Sequence, residues 1–390
     1  MRIMRIGIDA TALPSRPVGA GNYIIQLISA IARYTMNTVY LPDGSQSGRM
    51  EFIIFIQRSR LDLLGIQETP NLQSIILPNF SPLKRLLWEQ ISLPKLAISH
   101  QLDLLHSLHY TMPLAFPGYK VVTFHDMTFF LFPHLHTLPK RYFFRFFIRT
   151  SSRRAAALIA DSENTRQDTI RLAGVSPDKI FTVQLGVTQE FRPLRDNTIL
   201  QQARQKYHLP DHFLLYVGMI EPRKNLSTLL KAFAIVADQM PDHRLVIVGP
   251  KGWMVDNIHQ QTDQLRISDK VYFTGYVEHD DLPLIYNLAE VFIYPSAYEG
   301  FGLPVLEAMA CGTPVISSNV SSMPEILGDA GVLIAPNNPQ ALGQSLLDLI
   351  NDPMERHQLS LKGLERASAF TWERTAEKTI AVYRHVFGLG

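Results

Sequence analysis

The chain has 390 residues, 46% of them hydrophobic and 18% charged, which is long for one domain and predicts two of about 150 to 200 residues each. A formal net charge of +2 argues against a dedicated nucleic-acid binder. No run of about 18 apolar residues occurs to serve as a membrane span, and a single cysteine, Cys311, excludes an internal disulfide framework and fits a reducing, cytoplasmic compartment.

The charge is unevenly placed. Residues 1–200 carry 22 Lys+Arg against 14 Asp+Glu, and residues 201–390 carry 15 against 21. A basic first half suits an anionic surface or acceptor.

The opening MRIMRIGIDATAL is basic and apolar, but Asp9 interrupts it, so it reads as a first strand rather than a signal peptide. Strands are expected at Ile3–Asp9, Phe52–Ile56, Ser74–Leu77, Leu104–Ser107, Val121–His125, Leu158–Asp161 and Phe181–Val183. They recur at Phe213–Gly218, Arg244–Gly249, Val271–Thr274, Val291–Tyr294 and Pro314–Ser317. These runs are rich in Val, Ile, Leu and Phe without clean alternation, as strands buried on both faces should be. Helical patterns lie between them, for example Gly21–Tyr34, Leu226–Gln239 and Pro339–Asn351. Such alternation predicts two α/β domains with parallel sheets. The polar, proline-containing stretch from Phe191 to Thr198 places the break, giving 1–195 and 196–370, and ligands are expected at the carboxyl ends of the strands.

Three loops could carry chemistry. After the first strand comes ALPSRPVGAGNY, in which Gly19 and Gly21 flank Ala20 just before a helix expected to start near Asn22. Glycines let backbone N–H groups approach an anion. A dinucleotide fingerprint needs a third glycine where Ile24 stands, so a nicotinamide site is a poor match and a plain glycine turn is an equal reading. The second loop, VGMIEPRKNL, follows the first strand of the second domain. Its adjacent Arg223 and Lys224 suit a diphosphate, or else form a solvated basic turn, and Asn225 is a candidate helix cap.

The third is SAYEGFG followed by LPVLEAMA. Pro304 lies near the start of a helix whose N-terminus is a natural anion site. Glu299 and Glu307 are acceptors able to hold hydroxyl pairs; the plain alternatives are a solvated loop carboxylate and a helix-face ion pair.

The segment EGFGLPVLEAMACGTPVI resembles the E-x7-E signature of the retaining glycosyltransferases of family 4, which have the GT-B fold of two Rossmann-like α/β domains facing a cleft. The Gly-Ala-Gly turn, PRKN, VYFTGYV at 271–277 and FTW at 370–372 match in order, so the resemblance covers essentially the whole chain. It implies that Glu307 binds the donor ribose and Glu299 the transferred sugar. It also implies that Phe301, Gly302 and Leu303 offer backbone N–H groups, and that Arg223 and Lys224 hold the leaving diphosphate. Tyr276 and Val277 would border the base, and Gly19 and Gly21 would close over the phosphates. Many members carry Arg after the strand-end glycine. Here Met219 stands there, and Arg223 is assumed to take its charge role. The resemblance places His125 against the transferred sugar with Asp126 orienting it, needs no bound metal, and sends the last helix, 371–390, back to the first domain. A metal cluster of His125 with His134 and His136 lacks a recognised ligand spacing.

HDMTFFLFP and GMIEPRKNL look most like mannosyltransferases of bacterial O-antigen or surface polysaccharide. They imply GDP-mannose as nucleotide-sugar donor and a lipid-linked saccharide acceptor. Two alternatives are a GT-B nucleotide-sugar epimerase and a non-catalytic nucleotide-sugar-binding partner in an assembly complex. Finally, KRYFFRFFIRTSSRRAAA places Arg141, Arg145, Arg149 and Arg153 at four-residue spacing with five aromatics among residues 142–147. Together with LKRLLWEQ it either forms a peripheral membrane-facing surface or is a core helix whose arginines reach solvent.

Overall fold

A computed structural model of the chain describes residues 3–38, 50–66, 68–250 and 256–389. It divides into two compact units, Met1–Gly186 with Thr371–Gly390, and Val187–Phe370. The division thus falls at Gly186, upstream of the polar stretch read from the sequence as the break. A Cβ on Gly186 would lie 2.2 Å from the backbone nitrogen of Trp372, so this position accepts only glycine.

The first unit holds a seven-stranded parallel sheet. Its strands are β1 (Met4–Asp9), β2 (Met50–Gln57), β3 (Leu72–Leu77), β4 (Leu104–Ser107), β5 (Tyr119–Phe124), β6 (Ala157–Ala160) and β7 (Ile180–Thr182), in the order β3-β2-β1-β4-β5-β6-β7. The second unit holds β8 (His212–Val217), β9 (His243–Val248), β10 (Val271–Gly275), β11 (Val291–Tyr294), β12 (Val315–Ser318) and β13 (Val332–Ile334), in the order β10-β9-β8-β11-β12-β13. Strand β13, Val-Leu-Ile, was not expected from the sequence. Each order reverses once, between β1 and β4 and between β8 and β11. The loops leaving those strands diverge there and open a crevice at the carboxyl edge.

Register fixes which helices share a face. Asp9 pairs with Phe55 and with Ser107, and Ser107 pairs with Val122, so these side chains lie on one side of the first sheet. On that side Phe55 and Leu105 pack with Leu93 and Ala97 of the helix Pro82–Ser99. Val122, Phe124 and Leu158 pack with Ile148 of the helix Leu138–Arg154. The other side receives the helix Ala20–Thr38, which begins two residues before the expected Asn22, and the last helix, Trp372–Val386. There a buried chain runs from Tyr383 OH to His106 Nδ1 (2.7 Å), from His106 Nε2 to Thr123 Oγ1 (2.9 Å) and on to Tyr23 OH (2.9 Å).

Candidate functional site

The loops leaving β8 and β11 meet at the reversal in the second sheet. After β8 the chain forms a tight turn, Pro222–Lys224, and Asn225 takes a left-handed φ of 57° before the helix Leu226–Val236. Asn225 does not cap that helix with its side chain. Its Oδ1 accepts from the Thr228 hydroxyl at 2.8 Å, and its Nδ2 donates to the carbonyls of Pro295 and Pro336. The two loops are stitched together where Ala297 N (2.8 Å) and Ser296 Oγ (3.1 Å) donate to the Arg223 carbonyl.

This stitching buries Glu299 between the two cations. Its Oε1 accepts from Lys224 Nζ (2.7 Å), Ser296 Oγ (2.6 Å) and Tyr294 OH (3.0 Å), and its Oε2 from Arg223 (2.8 Å). Burial alone would raise its pKa, but Arg223 and Lys224 outweigh burial and hold it at about 2. Burial lowers Lys224, with Glu299 opposing. Arg223 also donates to Glu221 (2.6 Å) and to the Tyr298 carbonyl (2.6 Å). The cluster is therefore neutral by count: two cations against Glu221 and Glu299.

The helix Leu303–Ala310 follows. Gly302, at its start, has φ 121°, and a Cβ there would lie 2.3 Å from Met323 Cε. The dihedral favours glycine, and a Cβ would also displace the end of the Met323 side chain. Ser322 Oγ donates to the carbonyls of Phe301 and Glu299 and draws this loop onto the segment after β12. Among the described residues, the amides of Phe301, Gly302 and Leu303 have no hydrogen-bond partner, and Pro304 has no N–H. They form an N-terminus able to receive an anion. Glu307 lies one turn in and is buried. Its side chain accepts one hydrogen bond, from Tyr286 OH at 3.0 Å, and burial raises its pKa to about 7. After β10, Tyr276 is exposed and Val277 buried.

In the first unit, Gly19 has φ 51° at the end of the loop after β1, and Gly21 packs against Pro14 and Pro17. His125 and Asp126 lie just beyond β5. His125 Nδ1 meets Asp161 Oδ2 at 2.7 Å and Nε2 meets the Leu108 carbonyl at 2.9 Å. A carbonyl only accepts, so Nε2 carries a proton. Burial pulls His125 down, but Asp161 outweighs it and raises its pKa. The carboxylate that orients His125 is thus Asp161, at the end of the neighbouring strand β6. Asp126 instead accepts from Thr128 N (3.0 Å) and Thr128 Oγ1 (2.7 Å). His109, after β4, has its ring 5.6 Å from that of His125, and burial, helped by the His125 charge, lowers its pKa to about 3. His136 stacks on Phe129 at 4.2 Å, and among the described residues His125, His134 and His136 form no metal-binding group.

The sequence reading found Arg223, Lys224, Glu299, Glu307 and His125 and missed the residues that hold them. Tyr294 and Ser296 were legible as a strand end and the start of the loop that carries Glu299. Glu221 stands two residues before Arg223 in the same loop and was passed over, whereas Tyr286, Ser322 and Asp161 lie on other elements and only the topology brings them in.

Two family models match the chain: glycosyl transferases group 1 over residues 200–366 and glycosyltransferase family 4 over residues 18–191. The chain is 35% identical over 266 residues to the O-antigen chain mannosyltransferase B of Escherichia coli, spanning 68% of this chain and 70% of that protein. It is 31% identical over 231 residues to the serotype-specific mannosyltransferase WbdA of Escherichia coli, covering 58% of this chain but only 28% of WbdA. In fold it is similar to sucrose-phosphate synthase from Thermosynechococcus elongatus, with a TM-score of 0.77 and 23% identity over 99% of this chain and all of that one.

Proposed function

The chain belongs to the family 4, group 1 glycosyltransferases, and from that premise we propose that it transfers mannose from GDP-mannose to a saccharide acceptor in O-antigen assembly. The observation that carries this reading is the buried cluster of Glu299, Arg223 and Lys224 beside a helix start with unpartnered amides. A sugar diphosphate supplies what that arrangement lacks, an anion for the amides and further hydroxyl donors for Glu307; Arg223, Lys224 and Glu299 already satisfy one another and meet the diphosphate and the sugar by exchanging part of those contacts. In this reading Glu307 holds the ribose diol, and Tyr276 and Val277 border the base. Phe301, Gly302, Leu303, Arg223 and Lys224 take the diphosphate, with Gly19 and Gly21 as further phosphate contacts.

The reaction proceeds with retention. The acceptor oxygen bonds to the anomeric carbon on the face from which the diphosphate departs. The anomeric C–O bond breaks with its electron pair going to the phosphate oxygen, and that oxygen takes the acceptor proton. The helix N-terminus and two cations carry the leaving-group charge, a role open to fixed dipoles and cations as well as to a metal. His125, with both nitrogens engaged, presents a fixed ring edge and backbone to the sugar. The acceptor lies with the first unit, where His109 is a neutral imidazole at the β1/β4 reversal.

The acceptor is lipid-linked, and the first unit meets an anionic membrane. Among the described residues no helix is long and apolar enough to cross one. The helix Pro82–Ser99 exposes Leu83, Leu87, Ile91 and Ile98, and the helix Leu138–Arg154, which contains no acidic residue, exposes Leu138, Tyr142 and Phe146. Both lie on one side of the sheet, and arginines and lysines flank the apolar positions.

The test is incubation of the protein with GDP-mannose, UDP-glucose or ADP-glucose, with and without a saccharide acceptor. Mannosyl transfer from GDP-mannose alone, with the anomeric configuration kept and insensitivity to chelator, is expected. Transfer from another donor overturns the mannose assignment. Conversion of the donor sugar without acceptor supports an epimerase, and binding without turnover a non-catalytic partner. His125→Ala should abolish turnover and leave GDP binding in place.

A further inference from the structure

At the other end of the second sheet, His212 opens β8, His243 opens β9, and Glu290 immediately precedes β11. The three strands are neighbours and parallel, and His212 pairs directly with His243. Backbone pairing therefore fixes these side chains beside one another at the amino edge. The strands run about 3.3 Å per residue, so this edge lies roughly 20 Å from the loops that hold Glu299.

One ligand atom from each of the three residues lies within 4.8 Å of the others, and they are the one such group among the described residues. His212 Nδ1 is 2.7 Å from Glu290 Oε1, and His243 Nε2 is 3.4 Å from the same oxygen. That Nε2 is buried and makes no hydrogen bond, although a carboxylate oxygen lies 3.4 Å away. An imidazole nitrogen in this state is under-used: it is desolvated and unpaired. Arg356 approaches the other oxygen, Oε2, at 3.7 Å, and is itself held by the Leu349 and Ile350 carbonyls at 2.5 Å. It steadies the carboxylate with Oε1 turned toward the two rings.

We propose that His212, His243 and Glu290 bind a zinc ion, which would clamp the starts of β8, β9 and β11. Two imidazoles and one carboxylate form a zinc donor set, with water completing a tetrahedron. With bonds of about 2.0 Å, the edges of that tetrahedron are about 3.3 Å. The His243–Glu290 separation already matches this. The His212–Glu290 contact must open from 2.7 Å by about half an ångström, and its hydrogen-bonding proton gives way to the metal. Magnesium, which demands an octahedron of oxygens, is excluded by the same set. The site is remote from the donor loops and takes no part in the transfer chemistry.

The test is titration of chelator-stripped full-length protein with zinc chloride, and separately with magnesium chloride, followed by calorimetry and by metal analysis after dialysis. One zinc per chain, no magnesium binding, and affinity at least tenfold weaker in both His212→Ala and His243→Gln are expected. Zinc should also raise the melting temperature of the wild type and not of the variants. His212 is exposed, so its variant folds and decides the matter if His243→Gln does not. Absence of saturable zinc binding, or equal affinity in the wild type and His212→Ala, would overturn the site.

Discussion

Glu299 and Glu307 are eight residues apart, yet their carboxyls are driven in opposite directions. Glu299 falls from an ordinary 4.5 to about 2 because two cations outweigh its burial. Its stabilising contribution is full above pH 4.5 and is lost as pH falls toward 2, and a shift of that size corresponds to about 3 kcal/mol. Glu299→Gln leaves Arg223 and buried Lys224 short of their counter-charge and should cost about 3 to 5 kcal/mol in urea unfolding at pH 7. In the wild type the same loss should appear as acid destabilisation between pH 4.5 and 2, and a variant as stable as the wild type would sink the ion-pair account. Glu307 rises from 4.5 to about 7, since burial finds only the Tyr286 hydroxyl against it. For a carboxyl raised in the folded state, the stability belonging to the neutral form is full below pH 4.5 and is lost as pH rises through 7. A ribose diol donates to the ionised form, so donor binding must expel this proton. GDP-mannose affinity should therefore climb by up to about tenfold per pH unit from pH 5.5 and level off above 7. The sugar diphosphate does not itself titrate in that range. Glu307→Gln should bind weakly and without the slope; an unchanged slope would remove Glu307 from the donor site.

At the level of elements, the start of the helix Leu303–Ala310 depends on a residue without a side chain. Gly302→Ala places a Cβ against Met323 at a left-handed φ, so the turn must shift and carry the amides of Phe301 and Leu303 with it. A displacement near 1 Å at a phosphate-binding turn should cost about 100-fold in kcat/KM. Circular dichroism should stay unchanged, and a variant with wild-type kinetics would show that these amides do not meet the leaving group. The same element shows what the sequence could convey. Pro304 near its start and the Gly-Phe-Gly before it were legible, because local backbone rules write them into adjacent residues. Most strands were legible too, since residues buried on both faces leave uninterrupted apolar runs; of the two three-residue strands, β7 was read and β13 was not. Strand order was not legible. The pairing of His125 with Asp161, and the placing of His243 and Glu290 on either side of His212, depend on the order of the strands, and nothing local encodes that. The last helix illustrates the same point. Tyr383 reaches His106 across 277 positions of chain, and removing its hydroxyl leaves a buried imidazole nitrogen unpaired. Tyr383→Phe should lower stability by about 1 to 3 kcal/mol, as read by chemical denaturation.

Taken as a whole, the molecule separates its charges by function. Its first 200 residues hold eight more cations than anions, and the remainder six fewer, although the second part is where we propose that the donor phosphates bind. An excess of cations around the Glu299 cluster is unnecessary, because Arg223 and Lys224 are already placed and the helix start adds partial charge. The surplus in the first unit needs another partner. It collects on the helix Leu138–Arg154, where Arg145 and Arg149 lie over the Phe130 ring at 5.2 and 5.3 Å while Tyr142 and Phe146 face outward, 64% and 58% exposed. Cations held near outward-facing aromatics satisfy the two demands of an anionic bilayer: charge at the headgroups and apolar area at the acyl boundary. The protein should sediment with phosphatidylglycerol vesicles and not with phosphatidylcholine vesicles. Raising salt from about 0.1 to 1 M shortens the screening length from about 10 to 3 Å and should release most of it. The combined Leu87→Ser, Tyr142→Ser and Phe146→Ser variant should lose binding at low salt as well, with its melting temperature and its turnover of a soluble acceptor unchanged. Salt release without an effect of those three substitutions would mean that charge alone docks the protein, and that the exposed aromatics serve some other contact. Binding to neither vesicle would leave the basic surplus to the acceptor, and an acceptor carrying its own anionic groups would then have to bind with the same dependence on salt.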